Sequence, residues 1–445
     1  MNKRIGIISL GCAKNLINSE QMMFLIKNAG FQVTEKTQGV DAVIVNTCVF
    51  IESAKTEAIE TILELGAIKE KGGIGKIIVA GCMAERYKAE LMREMPEIDA
   101  AVGAGSFDDI VQVIENTLEG KERQETYGDI NAPVSETKRI VTTSPVWAYL
   151  KIAEGCDNRC AYCVIPDIRG RFRSRPIGNI VQEAREMAEY GIKELIIVAQ
   201  DVTRYGMDLY GRQRLAELLT ALCDIERLKW IRLHYLYPDE ISEGLIDVIA
   251  GNDKILNYLD IPFQHINDGI LRMMNRRGSG GDIRSLIRKL RLRIPGLVLR
   301  TSVITGLPGE GEAEFEELCG FLREVKIERA GVFAYSPEEG TPAALMDRPD
   351  AETAAMRAEL LAGLQSEIMD DYNKSRVGSV ATILIEGCGE GRCYGRSFAE
   401  SPDVDGYITV RRGKRGMASR SLKPGEFIEA RIIGAQDHEP AAEQL

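Results

Sequence analysis

Glu154-Gly155-Cys156-Asp157-Asn158-Arg159-Cys160-Ala161-Tyr162-Cys163 sets three thiols in a C-x3-C-x2-C array directly after an apolar run at residues 147–153. Such a run, closed by a glycine, reads as a buried strand, so the cysteines ride the loop that leaves its carboxyl end. Thiolate-binding metals then divide on ligand number. Structural zinc needs four ligands, commonly two C-x2-C pairs, and no fourth Cys or His stands near this triplet. A 4Fe-4S cluster held by three thiolates keeps one iron open, and there a cofactor can bind and receive an electron.

Outward from this loop the chain alternates between two periods. Strand patterns at 147–153, 194–199, 230–234, 258–261, 297–304 and 330–335 are separated by amphipathic segments. In one of these Pro176 suits the first turn, Ile177, Ile180, Val181, Ala184, Met187 and Ala188 share a face, and Gly191 stops the helix. Six such repeats predict a partial (β/α) TIM-like barrel with its chemistry at the strand carboxyl ends. Upstream, apolar runs at 5–10, 42–46, 76–80 and 100–102 predict a doubly wound parallel sheet. Residues 121–138 are polar and lack either period, which predicts a linker. Residues 350–375 read as a long helix. Short strands at 380–385, 393–397, 406–410 and 427–433 then predict a small antiparallel β-barrel, followed by a disordered acidic tail from Asp437. The fold class is α/β, with domains at 1–138, 139–374 and 375–445.

A second set of cysteines is marked by placement instead of spacing. Cys12, Cys48 and Cys82 each stand just past an apolar run, in Leu10-Gly11-Cys12, Asn46-Thr47-Cys48 and Ala80-Gly81-Cys82. Carboxyl ends of parallel strands share one edge, so these thiols can converge on a second cluster. They can equally be small buried residues at strand ends. Cys223 and Cys319 continue apolar helix faces and read as core. Cys388 and Cys393 flank a Gly-rich turn without a matching metal-ligand pair.

The C-x3-C-x2-C loop with its barrel-like alternation resembles the radical S-adenosylmethionine (SAM) superfamily. With Ser9-Leu10-Gly11-Cys12-Ala13-Lys14-Asn15, Asn46-Thr47-Cys48 and Ala80-Gly81-Cys82-Met83, the whole chain resembles the methylthiotransferase family, whose last domain is a TRAM-like barrel. The resemblance implies two 4Fe-4S clusters and SAM. Cys156, Cys160 and Cys163 would be the catalytic ligands of the cluster at which SAM is cleaved; Cys12, Cys48 and Cys82 would hold the cluster that carries sulfur, one SAM supplying the methyl group and another the radical. Tyr162 matches the position that packs near the SAM adenine; the stretch from Arg300 to Glu310 ends another strand, with Arg300 expected among the cofactor contacts and Ile304 and Gly306 matching the backbone contacts to adenine. Gln200 and Asp201, after the strand at 194–199, place polar groups at the barrel mouth, where a zwitterionic cofactor is held. His234 and His265 end strands facing that mouth, and structural and catalytic roles are equally open to them.

Residues 258–265 (Tyr-Leu-Asp-Ile-Pro-Phe-Gln-His) and 234–238 (His-Tyr-Leu-Tyr-Pro) resemble the branch of the family that methylthiolates the β-carbon of an aspartate in a small-subunit ribosomal protein of the decoding centre. The alternative within the family is a tRNA adenosine. A net charge of −11 leans toward a basic protein partner, so nucleic acid is not required. Arg411, Arg412, Lys414, Arg415 and Arg420 form a local basic run that either touches RNA or is a solvated face. From another class, an iron-sulfur carrier or sensor would also use six cysteines, although it needs no polar strand ends. A reducing electron donor is implied. Ten cysteines in a chain without a secretory signal or membrane-length apolar run point to metal use and a cytoplasmic location.

Overall fold

Val43 and Val45 face one way along Val40–Thr47 and Ala42 and Ile44 the other, and all four are fully buried, as only a sheet covered on both faces allows. The computed structural model describes residues 3–389, 392–411, 422–436 and 439–445. In it β1 (Arg4–Ser9), β2 (Gln32–Thr34), β3 (Val40–Thr47), β4 (Ile74–Gly81), β5 (Ala100–Gly103) and β6 (Gln124–Thr126) form a parallel sheet ordered β2-β1-β3-β4-β5-β6. Helices α1 (Ala13–Asn28) and α5 (Ile110–Leu118) bury Met22, Ile26 and Ile114 against Ile44 and Ile78. On the opposite face α2 (Glu52–Glu70), α3 (Cys82–Tyr87) and α4 (Ala89–Glu94) bury Ile62, Met83 and Leu91 against Val43 and Val79. The sheet is doubly wound, and its order reverses between β1 and β3, the place where such folds bind ligands. Within the expected linker, β6 pairs with β5. Three polar residues at a sheet edge carry no apolar period, which is why composition hides them.

The chain then forms β7 (Trp147–Lys151) of a second compact unit and returns to the first. There β8 (Ala153–Glu154) pairs antiparallel with β9 (Arg173–Ser174), and α6 (Ile165–Arg169) between them places Val164 and Ile168 in the core shared by Met83 and Leu91. The first unit comprises Met1–Thr142, Ala153–Arg175 and Ser336–Ala344.

In the second unit β7, β10 (Glu194–Val198), β11 (Trp230–Leu233), β12 (Ile255–Asp260), β13 (Val298–Thr305) and β14 (Arg329–Ala334) lie side by side in chain order, all parallel. An unreversed order sends successive crossovers over one face, which is barrel winding, and the sheet stays open between β7 and β14. The crossovers carry α7 (Ile177–Tyr190), α8 (Met207–Tyr210), α9 (Leu215–Cys223), α10 (Glu243–Ala250), α11 (Asp268–Met273), α12 (Gly280–Arg293) and α13 (Glu312–Val325). Pro176 is the N-cap of α7, one residue before the expected first turn. Cys223 and Cys319, expected in the core, are half-buried. The long helix α14 (Ala351–Ser375) starts as expected, with the Asp350 carboxylate accepting from the Thr353 N–H at 2.7 Å.

Beyond α14, β15 (Val380–Gly389), β16 (Arg392–Arg396), β17 (Ile408–Arg411), β18 (Phe427–Gln436) and β19 (Glu439–Gln444) close a barrel ordered β15-β16-β17-β19-β18. An odd number of strands cannot close with every pair antiparallel, and β17 and β19 run parallel, contrary to a wholly antiparallel expectation. The tail expected to be disordered supplies β19, which buries Ala442 and completes the closure. Cys388 and Cys393 face each other on β15 and β16 and are joined in a disulfide. Of the basic run only Arg411 is described; Arg412, Lys414, Arg415 and Arg420 lie outside the described residues. Among the described residues no helix is long and apolar enough to cross a membrane.

Every strand of the open sheet sends a polar side chain toward Arg396 or the segment that follows it. Glu194 of β10 accepts from Arg396 at 2.7 Å, and the Tyr149 hydroxyl of β7 lies 3.3 Å from Asp403. Arg232 of β11 donates to the Phe398 carbonyl at 2.7 Å, and Tyr258 of β12 donates to Asp405 at 2.6 Å. Arg300 of β13 lies 4.0 Å from Asp405, and Arg329 of β14 lies 3.3 Å from Glu400. Glu400 is fully buried; burial alone would raise its carboxyl, but Arg376 and Arg329 and the Ser397 hydroxyl pull it down to about 2 from an ordinary 4.5. A depressed pKa stabilises the fold fully above the ordinary value and loses that contribution as pH falls toward the folded value. Glu400→Gln should therefore cost on the order of 3 kcal/mol at neutral pH. Denaturant titrations of the two proteins should converge between about pH 5 and pH 2, and a gap independent of pH would contradict the assignment.

Candidate active site

Cys12, Cys48 and Cys82 lie at one edge of the first sheet, after β1, β3 and β4. Cys12 is the N-cap of α1 and Cys82 the first residue of α3, so two of the thiols stand where helix N–H groups favour an anion. Gly11, at φ +86°, lets the loop after β1 lie against Cys48; a Cβ there would stand 2.4 Å from the Cys48 Cβ and 2.9 Å from its sulfur. Below the thiols a buried amide network locks the loops. Asn15 Nδ2 donates to the carbonyls of Leu10, Asn46 and Thr47 at 2.8, 3.2 and 3.2 Å, while Asn46 Nδ2 donates to the Asn15 carbonyl and the Ser19 hydroxyl, both at 2.8 Å.

The C-x3-C-x2-C loop belongs to this same unit, with Cys156, Cys160 and Cys163 half-buried and Tyr162 buried. The Cys156 N–H donates to the Gly170 carbonyl at 3.1 Å and the Cys163 N–H to the Cys160 carbonyl at 3.0 Å. Six residues past Cys163, at the end of α6, Arg169 turns a buried guanidinium onto the other trio. Its Nη2 donates to the Cys82 sulfur at 3.2 Å and to Asn15 Oδ1 at 2.9 Å; its Nη1 donates to Asn18 Oδ1 at 2.8 Å and lies 3.5 Å from Glu154 Oε2. One side chain thus ties the loop of one trio to the sulfur of the other. The sequence shows Asn15 and Asn46 only as parts of motifs, and Arg169 not at all, since its partners lie far along the chain.

The first trio is electrostatically uneven. Burial works against ionisation of Cys12, but Lys14, Arg169 and the N–H groups of Asn15 and Lys14 outweigh it and hold the thiol below its ordinary range. Burial, with the neighbouring Cys82 and Cys12 thiolates, pushes Cys48 up to about 11. Cys82 is raised by burial, against the pull of Arg169. Three thiols that sense one another beside a buried cation make a donor set suited to a polynuclear centre, which takes one thiolate per iron. Among the described residues no three carboxylate, imidazole or thiol groups close on a point suited to a single metal ion. A cubane does not require that, because each thiolate meets its own iron. The three mutually coupled thiols of Cys12, Cys48 and Cys82 make a donor set that suits an iron-sulfur cluster better than zinc.

The other expected cofactor residues lie in the second unit. Gln200 follows β10 half-buried, and Asp201, buried, accepts from the Thr203 N–H at 3.0 Å and from the Thr203 hydroxyl. Arg300 stands in the first half of β13 and donates to Asp260 at 2.9 Å. Burial opposes the charge on Arg300, but Asp260, Tyr258 and Asp405 hold it protonated. The Ile304 N–H donates to the Gln264 carbonyl at 2.8 Å. Gly306, at φ +76°, lies close against α14, since a Cβ would meet that of Ala354 at 2.3 Å. Its N–H donates to Glu310 at 2.8 Å. His234 is buried and bonds the Ser401 hydroxyl at 2.9 Å; His265 is buried, with Nδ1 accepting from the Asn267 N–H at 3.0 Å.

Known proteins align with this arrangement along the whole chain. The uncharacterized protein family UPF0004 matches residues 4–103, the radical SAM superfamily residues 150–322 and the TRAM domain residues 377–444. Among solved structures, the radical SAM methyltransferase TsrM from Kitasatospora setae, with cobalamin and a 4Fe-4S cluster bound, superposes with a TM-score of 0.58 over 78% of this chain and 77% of that one at 15% identity. The cobalamin-dependent SAM radical enzyme OxsB superposes with a TM-score of 0.52 over 83% of this chain and 56% of its own at 12% identity. These likenesses show the fold. Two relatives named ribosomal protein uS12 methylthiotransferase RimO are far nearer in sequence. That of Pelotomaculum thermopropionicum is 47% identical over all of both chains, and that of Acetivibrio thermocellus is 45% identical over all of this chain and 99% of its own. Identity at that level over full length, with three matching domains in the same order, means that the chain belongs to the RimO family of radical SAM methylthiotransferases.

Proposed function

We propose that this enzyme adds a methylthio group to the β-carbon of an aspartate in ribosomal protein uS12 of the small subunit, with one 4Fe-4S cluster on Cys156, Cys160 and Cys163 and a second on Cys12, Cys48 and Cys82. The observation that carries the two-cluster reading is Arg169, which joins the loop of one trio to the sulfur of the other inside a single compact unit. When bound, the clusters with SAM would supply the electron that turns SAM into a hydrogen-abstracting radical and the sulfur that the substrate carbon receives. The chain's own task is to hold and orient. The Asn15–Asn46 network fixes the loops that present the first trio, and the paired N–H groups of Cys156 and Cys163 fix the second. Burial of Cys48, Cys82 and Tyr162 keeps water away from chemistry in which a primary radical attacks whatever lies nearest. A cytoplasmic reductant would supply the electrons.

Anaerobically reconstituted protein, incubated with SAM, reductant and uS12, should transfer one methylthio group to an aspartate of uS12, read by peptide mass spectrometry. In cells lacking the gene, uS12 should lose that group while tRNA keeps its methylthioadenosine. The converse pattern would assign the enzyme to tRNA.

A further inference from the structure

After β14 the chain rejoins the compact unit that carries both cysteine trios, and Ser336–Ala344 touches the neighbourhood of each. On one side the Glu338 carboxylate accepts from Arg86 Nη1 at 2.5 Å, and the Glu339 carbonyl accepts from Arg86 Nη2 at 3.1 Å. Arg86 stands on α3 one turn beyond Cys82, the first residue of that helix. On the other side the Ala343 N–H donates at 2.9 Å to the carbonyl of Ala161, which lies between Cys160 and Cys163. The two contacts are tied into one turn, because the Thr341 N–H and hydroxyl both donate to the Glu338 carbonyl, at 3.1 and 2.6 Å. Little of this turn meets water. The Arg86 and Glu338 side chains are 9% and 8% exposed, and Ala343 is fully buried. Desolvation offsets much of the attraction in such a pair, which leaves the fixed direction of its hydrogen bonds as the larger effect.

We infer that Ser336–Ala344 is a brace that sets the spacing between the two cysteine trios, with Glu338 a positioning residue that acts through Arg86. The inference rests on the two-cluster reading above. Arg169 joins the C-x3-C-x2-C loop to the first trio from α6, and the brace joins the same two parts through α3 and Ala161. Sulfur insertion needs both trios in register with one substrate carbon, and an error of about 1 Å costs about 100-fold in rate. Cleavage of SAM needs only one trio, so loosening the brace should separate the two reactions.

Glu338→Gln keeps the hydrogen-bonding shape and removes the charge. In reconstituted full-length protein, E338Q should keep the parental iron content and SAM cleavage, but form about 10-fold more 5′-deoxyadenosine per methylthio group placed on uS12. Hydrogen exchange read by mass spectrometry should show the Ala343 amide, which the substitution does not touch, opening about 10-fold faster. E339Q, whose side chain is exposed beside the same turn, should match the parent in both measurements. R86Q should reproduce E338Q, and the double variant should be no worse than either, because the pair acts as a unit. A parental ratio of nucleoside to product in E338Q would overturn the brace whatever happens to its iron content or melting temperature, since a purely structural role lowers those alone. Parental exchange at Ala343 would overturn it too. A parent protein that cleaves SAM without modifying uS12 would instead overturn the function proposed above.

Discussion

Replacing Cys12, Cys48 and Cys82 together by alanine should halve the iron held per chain and abolish methylthio transfer, yet leave SAM cleavage to 5′-deoxyadenosine in place. The complementary triple variant at Cys156, Cys160 and Cys163 should also keep about half the iron but lose SAM cleavage altogether. The asymmetry follows from the two settings. Cys156, Cys160 and Cys163 are half-buried on one short loop, open enough for a ligand to reach. Cys48 and Cys82 are buried on loops locked by amide hydrogen bonds, a setting for a group that is retained. Iron analysis and chromatography of the nucleoside product on the reconstituted variants read both quantities. Full iron in either triple variant, or methylthio transfer by the first, would refute the two-cluster proposal.

Arg169→Ala should destabilise the first unit by about 3–5 kcal/mol and lower iron loading at the Cys12, Cys48 and Cys82 trio. The loss reaches well beyond one ion pair. Without the guanidinium, Asn15 and Asn18 lose their buried donor, Glu154 loses its cation two residues before Cys156, and Cys82 loses the charge that offsets burial. Burial opposes the charge on Arg169, but Cys82, Glu154 and Cys12 hold it protonated, so the residue and its partners stabilise one another. Lysine keeps the charge but cannot span four partners on two nitrogens, so R169K should fall between parent and alanine in denaturation midpoint and iron content. Native stability and full iron in R169A would show that the guanidinium is dispensable.

Legibility in the sequence tracked burial. The inner strands of both sheets are near-continuous apolar runs, as parallel strands covered on both faces must be, and β3, β4 and the strands from β10 to β13 were readable to within a few residues. Short edge and closing strands were not. β2 and β6 have three residues each and none fully buried, and β19 buries only Pro440 and Ala442 in an acidic tail. The disulfide between Cys388 and Cys393 escaped notice because a Gly-rich turn says nothing of the register that brings the two opposite each other.

By itself the sequence determined the chemistry on offer: three thiols within eight positions of one loop, three more at strand ends, and two parallel α/β layers to carry them. Those are local facts, set by spacing and by which runs can be buried. Only the tertiary structure decided that the C-x3-C-x2-C loop packs with the N-terminal sheet, that Arg169 reaches a sulfur 87 positions away, and that a loop of the last barrel meets Arg300. Contacts of that range depend on where long crossovers close, and a crossover leaves no period in the residues it joins.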